Sequence, residues 1–374
     1  MKAAGDEMET LTARSAPAVA RNENVDLFRA VSLLMIVAYH AWVLTGSQPT
    51  GIGVLDQTIL YWGEIGVTAF FLLSGYGIFH SLSRRPVNSL ADYRDFLWRR
   101  FQRIAPQYYL SLVVVLFLSG GIFFSREGMG SILSHLFFVH NFVPAWHGSI
   151  NGALWTMGVT VQFYLVAPLL YRPVRRAPLC SMAASVAVTV LVKIFLFPRI
   201  AASAGPDASA TLLFIYGRQL LTALDNFVAG MAVARWVKLR APRRKGAALC
   251  GFAAGIAALW GLCRWASRSG LHAPTRSGYL WHSLVALCLA GTLLAIHAWQ
   301  GTSRLPALRR GLLELSRREY AIYVWHLLVI RNLADHSTWV QALCSGRLRL
   351  VGIVLVAAVS IAFGIAAHTI TEKR

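Results

Sequence analysis

The stretch NVDLFRAVSLLMIVAYHAWVLTG, residues 24–46, decides the class of fold. From Leu27 to Thr45 it is apolar for nearly the length that a membrane-spanning helix needs, about 20 residues. It nevertheless carries Asp26, Arg29 and His40 at its start or inside it. Ionisable groups cost several kcal/mol in lipid, so within a span they are functional candidates by default. Arg29 and His40 are eleven residues apart, which at about 100° per residue is three turns plus roughly 20°. The two side chains therefore share a helix face, roughly 16 Å apart along the axis. Taken alone, the pair is better explained as a snorkelling arginine at a helix end and a histidine hydrogen-bonded to a neighbouring helix.

Comparable apolar stretches recur outward from this one: Tyr61–Leu82, Pro106–Phe124, Leu154–Tyr171, Cys180–Phe197, Leu213–Val237, Ala247–Cys263, Tyr279–Trp299, Tyr320–Ala334 and Leu350–Thr369. Of the 374 residues 56% are hydrophobic and 14% charged, against about a quarter charged in a soluble domain. The expectation is an all-α, polytopic membrane protein of about ten transmembrane helices, with residues 25–374 as a single membrane domain. Residues 1–24 are mixed in charge and lack the apolar core of a signal peptide, and they read as a disordered cytoplasmic tail.

Charge asymmetry orients the spans, because short cytoplasmic loops collect Lys and Arg. With ten crossings and the N-terminus inside, four basic clusters share one side. They are Arg84 to Arg103, then Arg172 to Arg176, then Lys238 to Lys245, then Arg304 to Arg318. Counting the short stretch Ile132–Val143 as a crossing would move the later clusters outside, so it reads as a re-entrant or interfacial segment on the outer face, and both termini are expected in the cytoplasm. Arg268, Arg276, Arg347 and Arg349 run against this scheme.

The net charge of +20 lies in these clusters rather than on one polar domain, and no stretch interleaves aromatic and basic residues as a nucleic-acid groove does. The five cysteines show no C-x-x-C spacing, so they read as packing residues. His135, His140 and His147 cluster on the outer segment without the i, i+4 pair of a helical metal site, and no metal is expected there. Trp146 and Trp155 suit interfacial anchoring as well as sugar stacking.

The segment RDFLWRRFQRIAPQYYL places Arg100 and Arg103 three apart on one helix face, at the same expected cytoplasmic level as Arg29. Guanidinium groups bind phosphate bidentately, although cytoplasmic charge alone also puts arginines here. Five motifs follow one another: R-x10-H in the first span, GVTAFFLLSGYGIF (66–79), WRRFQRIAPQYYL (98–110), LWTMGVTVQFYLVAPLL (154–170) and YAIYVWHLLV (320–329). In that order the chain resembles the membrane-bound acyltransferase-3 family from Asp26 to the last span.

The resemblance implies about ten spans and transfer of an acyl group, usually acetyl, from cytoplasmic acyl-CoA to a hydroxyl of a carbohydrate or glycosylated product. It implies no permanently bound cofactor, and a bacterial inner membrane as the location. Matched position by position, the family's Arg and His of the first span fall on Arg29 and His40, its R-x-x-R pair on Arg100 and Arg103, and its S-G on Ser74 and Gly75. With Arg29 and His40 expected as catalytic residues, the shared level of Arg29, Arg100 and Arg103 makes these three the expected clamp on the donor's CoA phosphates. The resemblance also implies substrate or structural support from Trp155, Gln162, Tyr164 and His326. One position departs: the family motif W-[ST]-L-x-V-E-x-Q-F-Y carries an acid where this chain has Thr160. If that acid serves the histidine in relatives, Glu64 and Asp225 are the nearest substitutes, and the sequence does not choose between them. His40 is the expected general base. Two other readings stand beside this one: a transporter or flippase for a lipid-linked glycan, and a catalytically idle relative. Acceptor, acyl length and oligomeric state are left open.

Overall fold

In a computed structural model the chain is described over residues 22–239, 245–297 and 305–372, and among these residues there are helices and no strand. The expected tail up to Arg21, and the basic residues Arg240, Arg243, Arg244 and Arg304, lie outside the described residues.

The first helix, α1 (Glu23–Leu44), starts earlier than its apolar run because it is capped. The Asn22 side chain accepts from the backbone N–H groups of Asn24 and Val25 at 3.0 and 3.4 Å, and Glu23 and Asp26 lie in the first turn, where the helix dipole favours negative charge. Residues 22–24 of the expected tail thus belong to the start of α1. The remaining helices are α2 (Gly53–Thr58), α3 (Trp62–Arg84), α4 (Leu90–Leu118), α5 (Arg126–Leu136), α6 (Trp155–Arg176), α7 (Pro178–Ser203) and α8 (Pro206–Tyr216), then α9 (Leu224–Leu239), α10 (Lys245–Ser269), α11 (Arg276–His297), α12 (Pro306–Arg317), α13 (Glu319–His336), α14 (Thr338–Ser345) and α15 (Arg349–Glu372).

Seven helical runs among the described residues are long and apolar enough to cross a membrane: α1, α2 with α3, α4, α7, α10, α11 and α15. The other three expected spans are helical but either more polar, as α6 and α13 are, or divided into helices too short to cross, as α8 and α9 are. Leu154–Tyr171 forms α6, Tyr320–Ala334 forms α13, and Leu213–Val237 is broken into α8 and α9 by the non-helical residues 217–223. The reason is position in the bundle. In α9 every residue from Asp225 to Ala234 is buried, whereas only 11% of the apolar window of α10 is covered by protein. A helix walled by other helices can carry polar side chains that a lipid-facing one cannot.

The centre of the bundle is held by close approach and aromatic stacking. A Cβ added to Gly75 of α3 would run into the backbone of Phe227 in α9, and one on Gly230 of α9 would run into Leu72 of α3, so each glycine admits the other helix. Phe227 stacks between Phe71 of α3, at 4.7 Å, and Phe163 of α6, at 4.0 Å. These contacts fix α3, α6 and α9 around the face that α1 and α13 complete.

The segment expected to be re-entrant, Ile132–Val143, begins in the second half of α5, whose 11 residues reach about 16 Å at 1.5 Å per residue, too short to cross. Its end packs beside α4, where the Tyr108 and Tyr109 hydroxyls donate to the carbonyls of His135 and Leu136 at 2.8 and 2.9 Å. Tyr108 lies about 15 Å of helix before the end of α4, so the end of α5 packs against the middle of α4 rather than its tip.

Candidate active site

The face shared by Arg29 and His40 is turned towards α13. Arg29 pairs with Glu319 at 3.0 Å and with Asp26, one turn back on α1, at 3.3 Å. Further along the same face, His40 Nδ1 lies 3.1 Å from His326 Nε2. Glu319 and His326 are seven residues apart, two turns, so one stripe of α13 meets both members of the α1 pair.

Arg29 lines a cleft with Ser74 and Ile78 of α3, Arg100 and Arg103 of α4, and Thr156, Thr160 and Tyr164 of α6, closed on the α13 side by Glu319, Tyr320 and Tyr323. Its empty space is about 860 Å³, a figure that takes in its open mouth. The α6 contribution follows from helix periodicity: Thr156, Thr160 and Tyr164 are i, i+4 and i+8, one stripe. Arg100 is half-buried, its guanidinium 5.5 Å from the Phe96 ring and 6.0 Å from the Tyr164 ring, while Arg103 is exposed. Three guanidiniums and one carboxylate line this cleft, which makes it electropositive.

The S-G motif divides its labour, Ser74 facing the cleft and Gly75 admitting α9. His40 and His326 are not in the cleft wall but lie beyond Tyr323. The Tyr323 carbonyl is 2.6 Å from His326 Nδ1, and its hydroxyl is tied to Thr156 Oγ1 at 2.8 Å and to the Ala153 carbonyl at 3.0 Å. The cleft therefore ends at a residue that also holds the histidine pair.

Trp155 and Gln162 are placed elsewhere. They lie on another side of α6, towards the outer segment, where Gln162 donates to Asn141 Oδ1 at 3.2 Å and Trp155 stacks on His147 at 5.5 Å. Gly158 between them leaves room for the Asn141 side chain, which also donates to Gln219 Oε1 at 2.6 Å. These residues brace the outer segment. His135 and His140 stack at 3.9 Å with their rings 10° apart, a face-to-face contact rather than two nitrogens aimed at one point. Burial pulls His140 down to about 3 and His135 and His147 down to about 4, so all three are neutral bases at pH 7.

Neither acid named as a substitute at Thr160 serves His40. Glu64 is taken by Arg218, by His282 at 2.8 Å and by His272 at 3.6 Å. Asp225 is buried in α9, with Lys193, Ser283 and Thr189 as its neighbours. Thr160 itself faces the arginines of the cleft, so an acid there would meet the guanidiniums first.

The sequence reading also missed residues. Arg218 is buried between Trp155 and Phe214, its guanidinium 5.4 and 4.5 Å from their rings, and it was legible as a charge inside an expected span. Glu319, beside Arg317 and Arg318, reads in sequence as loop charge, and only the fold brings it to Arg29.

Against this geometry the comparisons are specific. The family model for an acyltransferase domain, the acyltransferase-3 family, matches residues 22–368. The chain belongs to that family, and the class of protein is an acyltransferase. It is similar to acyltransferase MdmB of Streptomyces mycarofaciens, 28% identical over 84% of this chain and 80% of that one. It is also similar to the peptidoglycan O-acetyltransferase OatA of Listeria monocytogenes, 31% identical over 39% of this chain, and to the O-acetyl transferase of Shigella phage Sf6, 26% identical over 38%. The match spans 23% of the length of the Listeria protein and 43% of the phage protein. No solved structure matches the chain.

Proposed function

We propose that the protein is a membrane O-acyltransferase that moves an acyl group, in the simplest case acetyl, from cytoplasmic acyl-CoA to a hydroxyl of a carbohydrate or glycosylated acceptor. The observation that carries this reading is the electropositive cleft: Arg29, Arg100 and Arg103 converge on a space that ends at Tyr323, directly before His40 and His326. Arginine forks suit the phosphates of a CoA ester, and of the three Arg100 and Arg103 have no carboxylate within ion-pair distance among the described residues. Arg29, tied to Asp26 and Glu319, adds its charge to the cleft and fixes α1 against α13.

The chemistry follows from the depth of the histidine. The acceptor hydroxyl gives its proton to His40 as its oxygen attacks the thioester carbon. The carbon–sulfur bond then breaks, and the thiolate takes the proton back from His40, leaving ester and thiol. The roughly 16 Å between Arg29 and His40 along α1 is of the length that a pantetheine arm must bridge. Peptidoglycan is one acceptor class that the names of the relatives support. The basic clusters favour both termini in the cytoplasm, and a bacterial inner membrane suits such an acceptor.

The test is thioester consumption by purified protein in nanodiscs given acetyl-CoA and a panel of glycan acceptors. Transfer should be abolished in His40→Ala and reduced severalfold or more in Arg100→Ala at equal expression. Unchanged transfer in either variant overturns the assignment. A reporter fused to the C-terminus that works only outside the cytoplasm overturns the orientation.

A further inference from the structure

Two backbone carbonyls settle where the protons of the histidine pair reside. His40 Nδ1 lies 2.9 Å from the Ile36 carbonyl, and His326 Nδ1 lies 2.6 Å from the Tyr323 carbonyl. A carbonyl oxygen only accepts, so each Nδ1 carries a hydrogen. In the neutral ring that leaves each Nε2 with a lone pair. His326 Nε2, 3.1 Å from His40 Nδ1, is then an acceptor for the same N–H that His40 offers to Ile36.

We propose that His326 is the positioning residue of His40: its Nε2 lone pair accepts from His40 Nδ1–H and so leaves His40 Nε2 as the basic atom. The proposal rests on the acyl-transfer reading above and deepens it. In a serine-hydrolase triad a carboxylate holds the base in one tautomer and supports the imidazolium. The acids Glu64 and Asp225 are engaged elsewhere, and Thr160 faces the cleft. His326 is fully buried, and α13 holds it in place through the Tyr323 carbonyl. When the acceptor proton arrives on His40 Nε2, the Nδ1–H bond to His326 strengthens, because a charged donor binds a neutral acceptor more tightly. The positive charge is thereby supported without a carboxylate, and the thiolate removes it on leaving.

The test uses two conservative variants that separate the two nitrogens of His326. Gln can put an amide oxygen where Nε2 was and still accept from His40. Asn reaches only as far as Nδ1, so it keeps the Tyr323 link and loses the His40 link. With acetyl-CoA as donor, His326→Gln should keep kcat within about threefold, and His326→Asn should lower kcat about 10- to 100-fold, the usual effect of losing an orienting partner. KM for acetyl-CoA should be unchanged in both, since neither variant touches the cleft. Equal activity of the two variants overturns the proposal, as does a loss that follows thermal stability rather than the Asn–Gln difference. Nitrogen-15 NMR of labelled histidine, with His40→Gln to assign the resonance, reads the tautomer without turnover. His40 should be protonated at Nδ1, and protonation at Nε2 overturns the proposal. A wild type that transfers nothing from acetyl-CoA overturns the donor reading instead, and the NMR result then stands alone on the pair.

Discussion

Thr160→Glu restores the acid of the family motif, and the structure gives that substitution a defined outcome. Residue 160 faces a cleft lined by Arg29, Arg100 and Arg103 against Glu319 alone. A carboxylate on one wall of this cleft would repel a phosphate bound at the two α4 arginines on another, and a separation of roughly 7 Å sets the scale. At an effective dielectric of about 20 the repulsion is about 2 kcal/mol, and solvent at the open mouth reduces it to about 1–1.5 kcal/mol. That corresponds to a roughly tenfold weaker Kd for CoA. Calorimetric titration of CoA into the protein in nanodiscs measures this without any acceptor, and initial rates with acetyl-CoA should show KM raised by the same factor with kcat nearly unchanged. The contrast with the histidine-directed view is sharp. If Thr160→Glu left CoA binding unchanged and raised kcat, or if activity appeared only in that variant, the acid would serve the base and not the cleft. The placement of the donor phosphates would then be refuted.

Arg100→Ala should weaken CoA binding about 10- to 100-fold, and Arg100→Lys should recover little of it, because a single ammonium cannot make the bidentate contact; salt titration should reduce the difference. Gly75→Leu should lower the thermal midpoint in detergent strongly, by the equivalent of about 1–3 kcal/mol or more, since the side chain meets the backbone of Phe227; an unchanged midpoint contradicts the close α3–α9 approach. The outer histidines predict acid sensitivity. Their folded pKa values, about 3 to 4, lie below the ordinary histidine value of 6.5, so the unfolded segment binds more protons across that window. Stability of residues 126–151 is thus full above about pH 6.5 and lost as pH falls towards 4. Hydrogen exchange at pH 7.5 and 4.5 should show that segment opening on acidification while α3 and α9 stay protected.

The sequence was legible where one rule acted alone. Apolar length marked the seven helical runs long enough to cross a membrane, and the short stretch at 132–143 begins in a helix of only 11 residues. Helical periodicity put Arg29 and His40 on one face, and that face meets a single stripe of α13. What escaped were facts set by packing between distant segments. Leu213–Val237 looked like one span because hydropathy averages over the break at 217–223, where Arg218 turns inward to Glu64. Trp155 and Gln162 share a motif with Thr160 and Tyr164, yet alternate positions of one helix serve different surfaces. A motif read along the chain cannot separate a cleft wall from a brace.

Arg29 shows how much turns on that distinction. As a donor ligand it should weaken CoA binding on truncation as much as Arg100 does. Its guanidinium, however, already has two carboxylate partners, Asp26 on its own helix and Glu319 on α13, so most of its hydrogen-bonding capacity is spent within the protein. Removing it takes away the ion pair that joins α1 to Glu319 and frees the N-terminal half of α1 to shift against α13. The same two helices carry His40 and His326, two turns further along α13, and a shift of about 1 Å there is enough to cost about 100-fold in rate. Arg29→Ala should therefore lower kcat by 10-fold or more and change Kd for CoA by less than about threefold, the reverse of Arg100→Ala. A large loss of CoA affinity with kcat preserved would return Arg29 to the donor clamp and remove it from the alignment of the base.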